Sequence, residues 1–257
     1  MPKMDLNCDM GESFGAYKLG RDEDVIEHIS SANIACGWHA GDALVMNRSV
    51  QLAAAHGVGV GAHPGYPDLM GFGRRNMDCT PEEIRNYVTY QIGALSGFCA
   101  ANGVKMRHVK PHGNLYLTAV EDETVATAVA EAIVSVDPSL MYVALAGAKG
   151  ALMTRIGEKL GLKVVYEAFP DRAYTPDGTL ASRRVPGAVI SDPNQVAQRA
   201  LKMAKEGKVV ATDGTEIDLH VHTLCVHGDN PTAVELVKTI RGLLESEGIA
   251  VEPMGLS

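Results

Sequence analysis

Seven short apolar runs, each five residues long, recur along the chain: MDLNC (4–8), ANIAC (32–36), VGVGA (58–62), MRHVK (106–110), MYVAL (141–145), KVVYE (163–167) and TLCVH (223–227). Runs of this length suit strands better than helices. Longer stretches with helical periodicity separate most of them. Residues 42–56 follow Asp42, which can cap a helix. Residues 80–103 open with Thr80, Pro81 and Glu83 and close on Gly103, the pattern of a capping box with Pro in the first turn. Residues 121–136, 192–207 and 230–248 read the same way. Strands that alternate with helices demand parallel pairing, with each helix as a crossover. The expectation is a single-domain α/β fold over residues 1–257, a (β/α) barrel of about seven parallel strands. Asp213-Gly214 predicts a β-hairpin excursion near 208–221. The rival is an open doubly wound sheet, whose G-x-G-x-x-G fingerprint is missing after the first run.

In a barrel, reactive groups gather on the loops that follow the C-terminal ends of the strands. Asp9 and Glu12 follow the first run, and His39 and Asp42 the second. His63 follows the third, with Arg74 and Arg75 further along. Lys110 and His112 close the fourth, in VKPHGNLY. Glu167, Asp171 and Arg172 follow the sixth, and His227 and Asp229 the seventh. Taken singly, each has a bland reading as a helix cap, a solvated terminus or a hydrogen-bonded rim residue. Their conjunction at six of seven strand ends points instead to acid–base chemistry or metal binding at one mouth. Asp9, His39, His63 and His112 are the candidates for a mixed nitrogen–oxygen metal site. His28, His56, His108, His220 and His222 receive no role.

Charge and cysteine content narrow the partners. The formal charge is −8, which argues against nucleic acid or an anionic membrane. The five cysteines have no paired spacing, so reduced thiols and a cytoplasmic location are expected. No stretch is apolar enough to span a bilayer, and the first residues lack a secretory h-region.

The stretches DLNCDMGESFG, ANIACGWHAGD, GAHPGYPD with GFGRR, VKPHGNLY, FPDRAYTPDGTL with PGAVI, and LCVHGD together resemble the LamB/YcsF family, in order and over almost the whole chain. Asn114, Leu117 and Pro170 depart from the family's usual residues, and none of the three removes a titratable group. The resemblance implies a seven-stranded barrel related to the glycoside hydrolase/deacetylase barrels. It implies ATP-dependent cleavage of 5-oxo-L-proline to L-glutamate, with Mg2+ accompanying ATP and two partner subunits, B and C. A homo-oligomer is left open.

That reaction sets the roles expected here. A lactam is a stable amide, so its opening needs a proton-transfer group, a cation for developing negative charge and an anchor for the carboxylate. His112 or His63 is expected to move the proton, and Lys110 to stabilise a phosphoryl or oxyanion charge. Arg172 is expected to grip the substrate carboxylate, with Arg74 or Arg75 as alternates. Asp9, Glu12 and Asp229 are expected to orient histidines or hold a cation. Asp171, His39, Asp42 and His227 complete the expected pocket. No G-x-x-x-x-G-K-[ST] loop is present, which fits ATP handling shared with partners. Two alternatives are a metal-dependent amidohydrolase or carbohydrate deacetylase acting alone, and a non-catalytic substrate-binding subunit.

Overall fold

The computed structural model describes residues 2–227 and 232–255. The described residues form ten strands: β1 (Lys3–Met10), β2 (Ser31–Ala35), β3 (Gly59–His63), β4 (Met106–Val109), β5 (Met141–Leu145), β6 (Val164–Ala168), β7 (Lys208–Val210), β8 (Glu216–Asp218), β9 (Thr223–Val226) and β10 (Ala250–Val251). Seven of them, β1 to β6 and β9, pair in parallel around a closed ring, because β9 bonds to both β6 and β1. The short β7 and β8 pair antiparallel outside the ring, across the Asp213-Gly214 turn.

The helices are α1 (Asp22–Val25), α2 (Ala43–Ala55), α3 (Pro81–Ala101), α4 (Gly113–Glu121), α5 (Glu123–Val136), α6 (Ala151–Lys159), α7 (Pro193–Glu206) and α8 (Ala233–Ser246). The caps read at Asp42 and Thr80 form as expected, while the start read at residue 230 lies outside the described residues. Asp42 accepts from the Leu44 and Val45 amides, and Thr80 and Glu83 complete a reciprocal box. Three helices were not legible, the one-turn α1 among them. The VKPHGNLY stretch runs straight into α4, where Leu115, Tyr116, Ala119 and Val120 form a buried stripe. Asp122 then separates α4 from α5 by capping the latter. The small residues AGAKG (146–150) lead through a short 3-10 turn into α6.

Leucine, isoleucine and valine fill the layer between barrel and helices, with Leu6, Ile34, Val60 and Val109 at 0 % exposure. The barrel interior is polar instead. On β1 the alternation places Asp5, Asn7 and Asp9 on one face, with Leu6, Cys8 and Met10 on the other. The inner face meets a stack of polar partners. Asn7 donates to Glu167 and Thr223, and Asn33 donates to Asn7 and Asp9. His108 Nε2 lies 2.8 Å from Asn33 Oδ1. Gly61 makes room for that ring, since a Cβ there would sit 2.1 Å from His108 Nε2.

The floor of the barrel holds a buried carboxylate. Asp5 accepts hydrogen bonds from the Ser30, Ser31 and Thr223 hydroxyls and from the Met254 amide. Met254 also packs on Met141, Val143 and Val165, so the C-terminal segment plugs this end. Burial pushes the Asp5 carboxyl up to about 6, against the lowering effect of its four donors. The folded chain therefore holds a proton that the unfolded chain releases between pH 3.8 and about 6. The resulting stabilisation is complete below that window and lost as pH rises through it. Acidifying from pH 7 to 5 is expected to stabilise the protein, relative to Asp5→Asn, by about 1 kcal/mol or roughly 2–4 °C in Tm. Parallel melting curves of the two proteins across that range would show that Asp5 stays ionised.

Candidate functional site at the barrel mouth

Lys110 is the hub of the mouth. It follows β4 directly, is 3 % exposed and has its backbone amide bonded to Ala62 on β3. Its ammonium lies 2.9 Å from Asp9 Oδ1, 3.0 Å from Glu167 Oε1 and 2.9 Å from Cys225 Sγ. Burial opposes that charge, but Asp9, Cys225 and Glu167 hold the ammonium well above its ordinary range. Burial likewise opposes ionisation of Asp9, yet His63 and Lys110 outweigh it and keep the carboxyl far below normal. Glu167 moves the other way: burial raises it, with Lys110 offsetting only part. Asp9 is thus the firm counter-ion, and Glu167 is the carboxyl held closest to protonation. Cys225 is pushed well up by burial and is no thiolate nucleophile.

Three histidines pack beside this hub. His63, the last residue of β3, presents Nδ1 to the Lys110 carbonyl at 2.7 Å. Its Nε2 lies 3.4 Å from Asp9 Oδ1 and 3.0 Å from His112 Nδ1. His112, just before α4, presents Nε2 to the Phe72 carbonyl at 2.8 Å. His39 lies flat against His112, with ring centroids 3.7 Å apart and planes 3° apart. Burial first, and then the neighbouring imidazoles, push His39 and His112 well below the usual histidine range. Glu12 joins this group, and one ligand atom from each of Glu12, His39, His63 and His112 lies within 4.8 Å of the others. Asp9, Cys225 and His227 meet the same criterion, but there the Lys110 ammonium already fills the place of a cation.

The turn VKPHG owes its shape to contact with the loop after β3. Gly113 has φ +55°, and a Cβ there would strike the Gly73 carbonyl oxygen at 2.6 Å. The Gly73 position is equally tight against His112 and His39. These glycines let two loops press together and fix the stacked imidazoles.

A dyad lies on the β6–β9 side. His227 Nδ1 is 2.9 Å from Asp171 Oδ2, and the ring stacks on Phe169. Burial works against the Asp171 charge, but His227 and Arg172 hold its carboxyl below normal. Asp171 can only accept from Nδ1–H, which leaves Nε2 of a neutral His227 free to take a proton.

Several residues expected in the pocket have structural work instead. Asp42 caps α2 and accepts from the Gly15 amide. Arg75 is paired with Asp68, whose carboxylate also accepts from the Gly71 amide and so shapes the 68–75 loop. Arg172 turns its guanidinium to its own loop, donating through Nε to the Ala188 carbonyl and through Nη2 to the Ala181 carbonyl, and its side chain is buried. The long loop after β6 needed an internal clamp, and Arg172 supplies it. Arg172→Met is expected to cost about 1–3 kcal/mol and to open residues 173–190 to limited proteolysis. Unchanged stability with a large rise in KM would restore it to the binding pocket. Arg74 is exposed, with its guanidinium over the Phe72 ring at 4.8 Å, beside the stacked imidazoles. Asp229 lies outside the described residues.

Sequence reasoning missed Asn7, Asn33 and His108 as the polar column beneath the site, and it named Glu167 without a role. The signal was available in part: DLNCD alternates polar and apolar residues, which is half-buried strand with its polar side inward. His108 carried no such mark, because its partner Asn33 lies on another strand.

Closed parallel ring, outer helices and a polar mouth define a seven-stranded parallel (β/α) barrel. A peptidoglycan N-acetylglucosamine deacetylase catalytic domain from Eubacterium rectale shares this fold, with a TM-score of 0.50, 11 % identity and coverage of 98 % of this chain and 88 % of that one. The chain belongs to the LamB/YcsF family, whose pattern matches residues 4–256. It is 57 % identical to the A subunit of 5-oxoprolinase from Thermococcus onnurineus over 253 residues, 98 % of each chain. The corresponding A subunit from Natranaerobius thermophilus is 57 % identical over 255 residues, covering 99 % of this chain and 98 % of that one. The crystal structure of a lactam utilization protein from Thermus thermophilus superposes with a TM-score of 0.92 at 49 % identity, covering 98 % of this chain and 100 % of that one. No helix among the described residues is long and apolar enough to cross a membrane.

Proposed function

We propose that this chain is the A subunit of an ATP-dependent 5-oxoprolinase that hydrolyses the lactam of 5-oxo-L-proline to L-glutamate. The observation that carries the reading is the near-complete, 54–57 % identity to proteins named for that subunit. The mouth supplies residues of the types the reaction needs. Transfer of the ATP γ-phosphoryl group to the lactam oxygen expels ADP and makes the ring carbon electrophilic. Water adds to that carbon, the ring C–N bond breaks as nitrogen takes a proton, and a second water releases phosphate from the acyl phosphate.

His227 fits the proton-transfer role better than His112 or His63. Its Nδ1 is held by Asp171, whereas the outer nitrogens of His63 and His112 are tied to carbonyls and their inner nitrogens face each other. Lys110 places fixed positive charge where negative charge develops, with Asp9 and Glu167 setting its position. Arg74, exposed beside the imidazoles, is the cation assigned to the substrate carboxylate. ATP, with Mg2+, is handled together with partner subunits B and C, in the cytoplasm.

The test is glutamate release from 5-oxoproline and ATP by subunits B and C, with and without this chain. Release only in its presence supports the assignment. Equal release without it removes the catalytic role, and binding of 5-oxoproline without turnover would make it a substrate-holding subunit.

A further inference from the structure

Three imidazoles and a carboxylate meet at the β1–β4 side of the mouth, and two separate features of the imidazoles call for an electropositive partner. The first is tautomeric. Carbonyl oxygens only accept, so the contacts to Lys110 O and Phe72 O put protons on His63 Nδ1 and His112 Nε2. In neutral rings the remaining nitrogens, His63 Nε2 and His112 Nδ1, then carry lone pairs that face each other at 3.0 Å. The second is His39, which is 0 % exposed with neither ring nitrogen hydrogen-bonded. Each such orphan costs about 1–3 kcal/mol.

A proton shared by His63 and His112 relieves the first defect and leaves the second. A cation relieves the first and takes up one of the two unpartnered His39 nitrogens. We propose that Glu12, His39, His63 and His112 bind one divalent transition-metal ion. Two nitrogens about 2.1 Å from a common ion sit roughly 3 Å or a little more apart, which matches the His63–His112 pair. The carbonyls behind those two rings hold them as metal-bound histidines are usually held, by the nitrogen that does not ligate. His39 must turn edge-on from its stack to join. Three nitrogens and one carboxylate select zinc-like ions over Mg2+ or Ca2+, which take oxygen ligands. The site is therefore distinct from the Mg2+ that accompanies ATP, and it does not depend on the reaction assigned above.

The experiment uses the full chain, stripped with chelator and titrated with Co2+ and then Zn2+. Expected are one equivalent of Co2+ with visible d–d bands, no thiolate-to-cobalt charge-transfer band, displacement by Zn2+ and a higher Tm with metal. Glu12→Gln and His63→Ala, checked for folding by circular dichroism, are expected to lose more affinity than the ~10–100-fold typical of an outer-shell change. The exposed control His56→Ala keeps it. No stoichiometric binding by the unaltered chain, or a charge-transfer band that reports Cys225, overturns the proposal even if the variants do not fold.

Discussion

Lys110→Met is expected to reduce glutamate formation by at least about 100-fold, as loss of a preorganised electrostatic donor does, and to destabilise the chain as well. The ammonium is buried against Asp9 and Glu167. Removing it leaves carboxylates in a water-poor barrel with no counter-charge, which typically costs about 3–5 kcal/mol. The two effects separate in the double variant Lys110→Met/Glu167→Gln. Neutralising Glu167 removes one orphaned charge, so urea melts should show part of the stability restored. Turnover should stay lost, because no cation returns to the reacting centre. Recovery of turnover along with stability would mean that Lys110 is only a structural plug for the barrel.

The second large effect is expected at the dyad. His227→Ala should lower kcat by about two to four orders of magnitude, the usual worth of a positioned base. Asp171→Asn should fall in the same range with KM little changed, since the side chain is buried and orients the imidazole rather than the substrate. Loss of an orienting carboxylate in a hydrolase triad costs about 10⁴ by misplacing the tautomer. Added imidazole should rescue His227→Ala in part, because the ring is only partly buried. It should not rescue Asp171→Asn, whose own imidazole still occupies the place. Full activity in His227→Ala would return the proton-transfer role to His63 or His112.

The chain by itself determined the alternation of strands and helices, the parallel barrel and the strand ends that carry chemistry. These depend on local periodicity, caps and turn residues, which are written in contiguous residues. It also carried the family motifs, and with them the reaction class. Tertiary structure alone decided which strand-end residues share a site. Asp42, Arg75 and Arg172 have the right residue types in the right places, yet each is spent on its own loop or helix, as a cap or clamp. Glu167 and Cys225 became part of the hub only because β9 joins β6 to β1 and so closes the ring around Lys110. Helix α4 hid behind a Pro-Gly turn, since local chemistry there signals a break while the buried stripe behind it wins through packing. The facing lone pairs of His63 and His112 lie furthest from the sequence. They follow from two backbone carbonyls, Lys110 O and Phe72 O, whose directions are fixed only when strands β3 and β4 and the 68–75 loop are assembled.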